Sequence, residues 1–400
     1  MSENNEVKEP LNKNNKVPKL RFDKFKNDNF NCDILSQIAT LSKGNGLSKD
    51  DLSPDGNKCI LYGELYTRYL GYIDTIISKT KTILSNPKLS KSGDIIMPLS
   101  GETPTDISNS AVVPEDNVIL GGDLLVITPK KNIDPLFLSL YLSNCKKKEI
   151  AKKSCGISII HSHKEDIAKL TIYYPSLAEQ YYISTFLKKL TKKIDIVLKK
   201  IDVLKKYKKG VFLDTRKCSK KIALKTILSE VNIKTKYNNQ YEILSSTAIG
   251  LFSQKEYFKH QVASGNNVGY KVIKKGQLLF SPQNLWLGNI NLNNDFEIGM
   301  VSPSYKIYDI DNSINSSWLI SMLKSQNMLY KYKQISEQGA SVVRRNLDLS
   351  QFLEITLDIP NNQIQIGITL ETIDKKINAL SNLLMNLKNL KMHLLNEMFI

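Results

Sequence analysis

Apolar residues recur at alternating spacings of four and three along two stretches of the chain, residues 183–211 and 370–398. This spacing is typical of a coiled-coil seam, a stripe too narrow for a globular face. A lysine takes an apolar position at the matching place in both stretches, Lys208 and Lys391. Since a polar residue in a seam sets register at a cost in stability, the pattern predicts two long helices that pair. Packing of each helix on its own domain is the alternative. The predicted interface consists of Ile183, Leu187, Leu190, Ile194, Val197, Ile201 and Leu204 with Ile373, Ile377, Leu380, Leu384 and Leu387.

Each long helix has a predicted start just after a proline. In "PSLAEQYYISTFLKKLTKKI" Ser176 and Glu179 form a capping-box pattern, and in "PNNQIQIGITLETIDKKI" Asn362 and Gln365 form a weaker one. About 40 residues of helix span roughly 60 Å at about 1.5 Å per residue. That is the length of roughly 17 base pairs of DNA at about 3.4 Å each. A helix pair of this length is expected to hold two globular units at a fixed distance.

The sequence repeats itself at an offset of 183 residues. "KSGDIIM" at residues 91–97 falls on "KKGQLLF" at residues 274–280, with Gly93 over Gly276. Two residues are then inserted in the second copy, so that Gln180 meets Gln365. An offset that persists through strand-like, loop and helical stretches predicts two copies of one plan. Each copy is a globular part followed by a long helix.

The globular parts, residues 17–175 and 218–360, have the pattern of mixed α and β structure. Short apolar runs predict strands at residues 59–65, 94–99, 124–129, 277–282 and 304–310. Longer stretches at residues 135–153 and 316–335 predict helices. The connecting loops are rich in Ser, Thr, Asn, Gln, Tyr and Gly, whose side chains bind base edges and phosphates. Solvated loops in general have a similar composition.

Charge narrows the class of partner. The formal net charge is +17 with only 24% charged residues, so a polyanion, either nucleic acid or an anionic membrane, is the first candidate. No stretch approaches the roughly 18 to 20 apolar residues of a spanning helix, and nothing is similar to a signal peptide. The five cysteines form no CxxC pair, which suits a reducing compartment. We therefore expect a cytoplasmic protein without disulfides or structural zinc.

Several segments resemble the specificity subunits of Type I restriction-modification enzymes, over nearly the whole chain. "KVPKLRF" resembles the family's entry into its first recognition domain, and "ILYGELYTRY" at residues 60–69 is similar to a recurrent segment of one group of these domains. "YEILSSTAIGLFSQKEYF" and "FSPQNLWLGNINLN" resemble segments of another group, in the second half. "YYPSLAEQYYISTFLKKL" is similar to the central conserved region, which opens with a proline and then an EQ pair. The second copy departs from this pattern, with Ile364 where an acid is expected.

The resemblance implies an α+β fold with two tandem mixed α/β target recognition domains, each followed by a long helix. The two helices would pair as an antiparallel coiled coil with pseudo-twofold symmetry. The expected boundaries are a disordered tail at 1–16, recognition domains at 17–175 and 218–360, and helices at 176–217 and 361–400. Each domain would read half of a bipartite site in double-stranded DNA. The implied partners are two modification subunits and, in the full complex, restriction and translocase subunits. S-adenosylmethionine, ATP and Mg would be used by those partners and not bound by this chain.

The candidate DNA contacts are polar, aromatic and basic residues, most of them in the segments that carry the resemblance. They are Lys43, Tyr62, Tyr66, Thr67, Arg68, Tyr69, Ser245, Ser246, Gln254, Lys255, Gln283, Asn284, Trp286, Asn289, Arg344 and Arg345. For Trp286, a core position under a polar loop is the alternative. The ten lysines in residues 188–209 form either a solvated helix face or a diffuse field toward DNA.

The chain carries no motif of a catalyst. It has no Asn-Pro-Pro-aromatic or Asp-Pro-Pro-Tyr tetrapeptide, no GxGxxG after a strand and no GxxxxGK[ST]. His161 and His163 alternate without a third nearby ligand, so a metal site is not expected. We therefore expect a non-catalytic DNA-specificity subunit that directs methylation, and cleavage of unmodified DNA, by its partners. The alternative is a basic coiled-coil adaptor for acidic proteins or membrane surfaces.

Overall fold

The computed structural model describes residues 17–69, 71–154, 156, 160–213, 219–257, 266–339 and 344–400. The predicted disordered tail, residues 1–16, and the predicted boundary between residues 217 and 218 lie outside the described residues. The chain divides into two compact units. Unit 1 contains residues 1–197 with 383–400, and unit 2 contains residues 198–382. Each unit therefore combines the globular part of one repeat, the first half of the helix that follows it and the last half of the other long helix.

The first repeat is built on a five-stranded sheet of order β2-β11-β7-β9-β5, next to a four-stranded sheet of order β10-β4-β6-β3. Its strands are β1 Asn31–Ile34, β2 Ala39–Lys43, β3 Leu52–Ser53, β4 Asn57–Ile60, β5 Gly71–Tyr72, β6 Lys79–Thr80, β7 Ile95–Pro98, β8 Ser100–Gly101, β9 Ala111–Val112, β10 Ile119–Leu120, β11 Leu124–Pro129, β12 Ile160–His161 and β13 Thr171–Tyr174. Its helices are α1 Leu35–Ile38, α2 Glu64–Thr67, α3 Pro135–Asn144, α4 Lys147–Lys153, α5 Lys164–Ala168 and the long α6 Leu177–Leu213.

The second repeat has a four-stranded sheet of order β15-β22-β19-β20 and four strand pairs, β14-β25, β16-β17, β18-β21 and β23-β24. Its strands are β14 Ser219–Ala223, β15 Leu228–Val231, β16 Leu244–Ser246, β17 Leu251–Ser253, β18 Lys271–Lys274, β19 Leu278–Phe280, β20 Ile290–Leu292, β21 Ile298–Val301, β22 Lys306–Ile310, β23 Ser336–Gln338, β24 Arg345–Leu347 and β25 Thr356–Pro360. Its helices are α7 Leu224–Ile227, α8 Gln254–Tyr257, α9 Ser316–Leu323, α10 Gln326–Gln334, α11 Leu349–Glu354 and the long α12 Gln363–Glu397.

The 183-residue offset marks the same turn in both repeats. Gly93 and Gly276 have φ values of 91° and 86°, a left-handed conformation that glycine adopts without a Cβ clash. The next residue closes each turn with its side chain. Asp94 accepts a hydrogen bond from the Lys91 backbone N–H at 2.8 Å, and Gln277 accepts one from the backbone N–H three residues before it, also at 2.8 Å. The central strands β7 and β19 therefore start from one common turn.

One predicted strand is shorter in the structure, and two predicted helices are divided. The predicted strand at 59–65 ends at Ile60, and Glu64–Thr67 forms the short helix α2. The Glu64 carboxylate accepts a hydrogen bond from the Leu61 backbone N–H at 2.9 Å, which closes a turn where the strand was expected to continue. Each predicted globular helix is divided in two, between α3 and α4 and between α9 and α10. In the second repeat the Ser325 hydroxyl accepts from the Met328 backbone N–H, so a new N-cap begins there.

The long helices pair antiparallel within each unit, as predicted. In unit 1 the start of α6 and the end of α12 are joined by residues 19–21: the Leu20 backbone N–H donates to the Glu397 carbonyl at 2.9 Å, and Arg21 binds Glu179. In unit 2, near the end of α6, the Lys208 ammonium lies 2.7 Å from the Asp374 carboxylate in the first half of α12.

The apolar stripes of both helices face inward. Buried members of the predicted interface are Ile183, Leu187, Leu190, Ile194, Val197, Ile201, Ile373 and Leu387. Half-buried members are Leu204, Ile377, Leu380 and Leu384. The two lysines in apolar positions are half-buried as well, Lys208 against Asp374 and Lys391 in unit 1, where burial lowers the pKa of its ammonium. The spacing of apolar residues in the sequence therefore predicted which side of each helix is buried.

The start of α6 is stabilised differently from the prediction. The Glu179 carboxylate receives two bonds from the Arg21 guanidinium, at 2.6 and 3.0 Å, and this ion pair is buried, with side-chain exposures of 6% for Arg21 and 0% for Glu179. Glu179 therefore fixes the segment before β1 to the long helix. Around it Phe22 and Phe25 pack edge-on against Tyr182 at 5.9 and 5.5 Å.

The glutamine that opens each long helix supports the preceding short helix. Gln180 accepts a hydrogen bond from the Asp134 backbone N–H at 2.9 Å, at the N-cap of α3. In the second repeat Gln363 accepts from the Asn315 backbone N–H at 2.7 Å, at the N-cap of α9. The sequence alignment had paired Gln180 with Gln365, but the hydrogen bonds pair it with Gln363. The offset is therefore 183 at this point too.

Candidate nucleic-acid interface

One end of the central sheet gathers polar side chains in the first repeat. The last residue of β2, Lys43, lies opposite Leu125 in β11, and β11 begins opposite Pro98, the last residue of β7. The loops after β2, before β11 and after β7 therefore meet at the same end of the sheet. β12 extends this end, because His161 pairs with Ser100. Lys43 and His161 are exposed. We call this group, Lys43, Ser100, Asp123 and His161, the first sheet end.

A pair of tyrosines lies near the loop that follows β8. The Tyr62 and Tyr66 ring centroids are 6.4 Å apart, edge to face, and both side chains are half-buried. Burial raises the pKa of Tyr66, and Tyr62, Glu102 and Asp106 raise it further. The Tyr66 hydroxyl thus stays neutral at physiological pH, and a DNA contact through it would be made by a neutral donor.

The rest of the "ELYTRY" segment divides into exposed and buried residues. Thr67 and Arg68 are exposed. The Arg68 guanidinium lies 3.6 Å from the Glu64 carboxylate, an ion pair open to solvent. Tyr69 is only 5% exposed, and its hydroxyl accepts from the Ile77 backbone N–H at 3.1 Å. Tyr69 therefore supports the segment from the core, whereas its two neighbours are accessible.

In the second repeat the loop between β19 and β20, residues 281–289, lies against the β23–β24 hairpin. The Gln283 carbonyl accepts from the Arg345 backbone N–H at 3.1 Å, and the Arg345 guanidinium lies 6.0 Å from the Trp286 ring centroid. Arg345 also donates through Nε to the Ser336 hydroxyl at 2.9 Å. Trp286 is half-buried and packs on the hydrophobic core. Arg345 and Trp286 thus fix the loop.

A buried polar network supports the β16–β17 hairpin. The Ser246 hydroxyl donates to Asn289 Oδ1 at 2.6 Å, and Asn289 Nδ2 returns a bond to the Ser246 carbonyl at 3.0 Å. Asn291 Nδ2 donates to the Ser246 hydroxyl at 2.7 Å, and the Tyr305 hydroxyl donates to the Ser246 carbonyl at 3.1 Å. Lys324 Nζ completes the network with a 2.7 Å bond to Asn291 Oδ1. Burial lowers the pKa of Lys324 to about 8.

Other predicted contacts of the second repeat are accessible. On the opposite face of β16, Gln254 Nε2 donates to the Ser245 hydroxyl at 3.1 Å, and both residues are half-buried. Lys255, Gln283 and Arg344 are exposed, whereas Asn284 is half-buried. The predicted set therefore divides into a supporting group and an accessible group. The supporting group is Tyr69, Ser246, Asn289, Trp286 and Arg345.

Sequence reasoning missed five residues that organise these regions. Ser100 and Asp123 belong to the first sheet end, and Asn291, Tyr305 and Lys324 belong to the Ser246 network. Only Asn291 lies within a segment that the resemblance singled out. The others are brought together from distant positions by strand pairing, which no local pattern shows.

The lysine-rich part of α6 is mostly accessible. Of its ten lysines only Lys208 is half-buried, and the other nine are exposed. Lys188 Nζ lies 3.3 Å above the Tyr72 ring centroid in unit 1, a cation–π contact. Within the described ranges no group of three or more His, Cys, Asp or Glu is arranged to hold a metal ion. In the same part of the chain, no helix is sufficiently long and apolar to pass through a bilayer.

Fold and site together define a class: a tandem-repeat α+β protein that presents polar, loop-lined surfaces from each repeat. Comparison with known proteins shows what the chain is similar to. Residues 27–206 match the sequence model of the Type I restriction modification DNA specificity domain. No curated protein matches the chain significantly. Among solved structures, the S subunit of the Type I restriction-modification system from M. genitalium is 15% identical, with a TM-score of 0.66, over 96% of this chain and 99% of that one.

Two further solved structures are similar over most of the chain. One, from a study of complex assembly and conformational transition of the type I R-M system, is 15% identical over 92% of this chain and 97% of that chain, with a TM-score of 0.46. The HsdS subunit from Thermoanaerobacter tengcongensis is 16% identical over 92% and 96%, with a TM-score of 0.41.

The match over residues 27–206 confirms the resemblance found in the sequence to the DNA specificity domain of Type I restriction-modification enzymes. The predicted fold class is confirmed with it, since the M. genitalium S subunit has this fold over nearly the whole chain. The match of residues 27–206 to a DNA specificity domain agrees with the function class expected from the sequence, a DNA-specificity subunit.

Proposed function

We propose that this chain directs a Type I restriction-modification complex to a bipartite DNA site. Each repeat reads one half of the site, and the paired helices set the number of unread base pairs between the halves. The observation that carries this proposal is the agreement between a specificity-domain match over the first repeat and the same scaffold in the second. The common turns at Gly93 and Gly276 and the equivalent glutamines Gln180 and Gln363 support it.

The chemistry is assigned to partner subunits. In this proposal the chain is non-catalytic and binds no cofactor, while two modification subunits bring S-adenosylmethionine. Restriction and translocase subunits use ATP and Mg in the full complex. The complex acts on DNA in the cytoplasm. The absence of methyltransferase and nucleotide-binding motifs in the sequence supports this division.

The proposed DNA contacts are the accessible members of the predicted set. Arginine and lysine suit phosphates and guanine, and glutamine suits adenine. The core of this group consists of Lys43, Thr67, Arg68, Lys255, Gln283 and Arg344, all exposed. Half-buried Tyr62, Tyr66, Ser245, Gln254 and Asn284 lie beside them. The supporting group defined above positions these residues without contacting bases.

The test combines the purified chain, a modification subunit of the family and S-adenosylmethionine. We expect sequence-specific adenine methylation only in the complete mixture, and none with the chain alone. Logarithmic affinity for duplex DNA should fall linearly with the logarithm of salt concentration, because lysines and arginines release counterions from phosphates. Robust methylation by the chain alone, or binding that random duplex DNA does not compete, would contradict the proposal.

A second test addresses the helices as spacers. Inserting seven residues into both long helices, after Ile201 in α6 and at the facing position of α12, keeps the seam in phase. The spacer between methylated half-sites should lengthen while both half-site sequences stay the same. An insertion of four residues in each helix is the matched control, since it disrupts the heptad phase. Unchanged spacing after the heptad insertion would exclude the spacer role.

A further inference from the structure

A chain of three polar side chains crosses the first sheet end. The Ser100 hydroxyl lies 3.0 Å from Asp123 Oδ2 and 2.9 Å from His161 Nδ1. Ser100 is 2% exposed, so its hydroxyl is shielded from water on the protein side. Asp123 adopts a left-handed conformation with φ of 56° just before β11, and its carbonyl accepts from the Leu99 backbone N–H at 2.7 Å. Asp123 and His161, in contrast, are exposed.

The number of hydrogens available in this hydrogen-bonded series fixes the tautomer of the His161 imidazole. A serine hydroxyl has one hydrogen to donate, and a carboxylate only accepts. The Ser100 hydrogen therefore goes to Asp123, which leaves the Ser100 oxygen as the acceptor for His161. Nδ1 of His161 must then carry the hydrogen. In a neutral imidazole Nε2 is consequently unprotonated and acts as an acceptor.

This arrangement differs from a hydrolytic triad. In such a triad the carboxylate holds the histidine and the histidine activates the serine. Here the serine lies between the other two residues, it is buried, and its hydrogen is directed to the carboxylate. The arrangement orients a histidine rather than activating a nucleophile.

The position of His161 points to its ligand. It lies at the same sheet end as Lys43, and in the 183-residue register it corresponds to the exposed Arg344 of the second repeat. An unprotonated ring nitrogen complements a hydrogen-bond donor. In the major groove the base donors are the exocyclic amino groups of adenine and cytosine.

We propose that His161 is a base-reading residue of the first repeat, held by Ser100 and Asp123 as the Nδ1–H tautomer so that Nε2 accepts a hydrogen bond from an exocyclic amino group. Ser100 and Asp123 are positioning residues that do not touch DNA. This inference rests on the proposed DNA-reading function, but the tautomer can be tested without DNA.

The first measurement uses the full chain with ¹⁵N-labelled histidines, of which there are four. Loss of signals in His161→Gln assigns the ring. We expect a pyrrole-type Nδ1 and a pyridine-type Nε2 for His161. In Asp123→Asn the amide can donate to Ser100, which frees the serine hydrogen for Nδ1, so the share of the Nδ1–H tautomer should fall. Asparagine tolerates the left-handed conformation at position 123, so this variant keeps the turn. An Nε2–H tautomer in the wild-type chain would overturn the inference.

The second measurement uses the chain assembled with a modification subunit and duplexes in which single bases of the site are replaced. His161→Ala should lower affinity for the cognate duplex about tenfold and abolish discrimination at one amino-bearing base, while binding to random duplex DNA stays the same. His161→Gln, which retains an acceptor, should restore much of the discrimination. His163→Ala, at an exposed histidine two residues away, is the matched control and should change neither quantity.

The outcomes separate the inference from the function on which it rests. Equal discrimination in wild type and His161→Ala would show that His161 does not read a base. If His161→Ala lost affinity equally for random and cognate duplexes, His161 would bind phosphate rather than a base, which also overturns the inference. If the wild-type complex shows no sequence preference at all, the proposed function itself fails, and the tautomer result still stands on its own.

Discussion

The turn before the central strand has opposite hydrogen-bond polarity in the two repeats. In the first, Asp94 accepts from the Thr128 hydroxyl at 2.6 Å. In the second, Gln277 donates through Nε2 to Asp309 Oδ1 at 2.8 Å. The glycine before each residue has the same backbone conformation. Backbone geometry and apolar spacing thus specify the scaffold. The polar pairs within it can be exchanged as long as each donor meets an acceptor.

The repeats differ more where they meet the long helices. Unit 1 has the buried Arg21–Glu179 ion pair, whereas unit 2 has the partly exposed Lys208–Asp374 pair and the half-buried Lys324. Ile194 is buried in unit 1, and Ile377, its counterpart at the 183-residue offset, is half-buried in unit 2. The same helical pattern is therefore packed more tightly in unit 1.

The largest expected effect separates the two halves of the seam. Ile194→Asp should lower the free energy of unfolding by more than about 4 kcal/mol, because it removes buried apolar contacts and buries an unpaired charge. Ile377→Asp should cost about half as much, since its site is partly solvated. Ile196→Asp, at an exposed position of the same helix, is the control and should cost less than about 0.5 kcal/mol. Urea titration measures the free energy of unfolding of all three variants. Equal losses for Ile194→Asp and Ile377→Asp would contradict the difference in packing between the two units.

The ion pairs at the helices should differ in the same direction. Arg21→Ala leaves the Glu179 carboxylate buried without its partner and should cost about 3 kcal/mol of unfolding free energy. Lys208→Ala breaks an ion pair that solvent reaches and should cost less than about 1 kcal/mol. Thermal and urea unfolding of the two variants measure this contrast. A cost for Lys208→Ala equal to that for Arg21→Ala would argue that the pairs are equivalent.

Lys324 should make the stability of unit 2 depend on pH. Burial lowers the pKa of its ammonium in the folded state to about 8, below the usual lysine value of about 10.4. Between these values the unfolded state binds more protons, so the free energy of unfolding should rise with pH, by less than about 2 kcal/mol in total. Below pH 8 both states are protonated and this contribution is constant. Urea titrations at pH 7 to 10 should show the rise in wild type and its loss in Lys324→Met. An identical pH profile for the two proteins would contradict the burial of this ammonium.

The smallest effect tests the turn that both repeats share. Gly93→Ala and Gly276→Ala should each cost about 1 kcal/mol, because an alanine is strained at a positive φ. Gly210→Ala, inside α6 where an added Cβ would meet open space, should have the opposite sign and stabilise by up to about 1 kcal/mol. Thermal unfolding compares the three variants. A clear inequality between the first two would mean that the turns are not equivalent.

The periodic features of the chain were readable from its sequence. The heptad positions Ile183, Leu187 and Ile373 are buried as predicted, because a stripe of apolar residues has few ways to avoid water. The repeat and strand β11 were also predicted from the spacing of apolar residues. The start of α6 directly after Ser176 was predicted as well, but the role of Glu179 was not, since its residue type fits both a capping box and an ion pair with Arg21.

The polar site was largely beyond the sequence. Ser100 and His161 become neighbours only through the pairing of β8 with β12, and Lys324 at the end of α9 reaches Asn291 in β20. Such contacts depend on tertiary register, which one sequence does not display. Tyr69 and Ser246 were predicted as DNA contacts because their residue types suit DNA, although the fold buries both. Their role as contacts stays a prediction that burial disfavours.

Independent reading by the two repeats is tested most directly by replacing residues 218–360 with the equivalent segment of a relative. The chimaera is assembled with the modification subunit, and methylated positions are mapped by single-molecule sequencing. We predict that one half of the recognised sequence changes while the other half and the spacer are retained. A change in both halves, or retention of both, would contradict the account of two separate readers on one pair of helices.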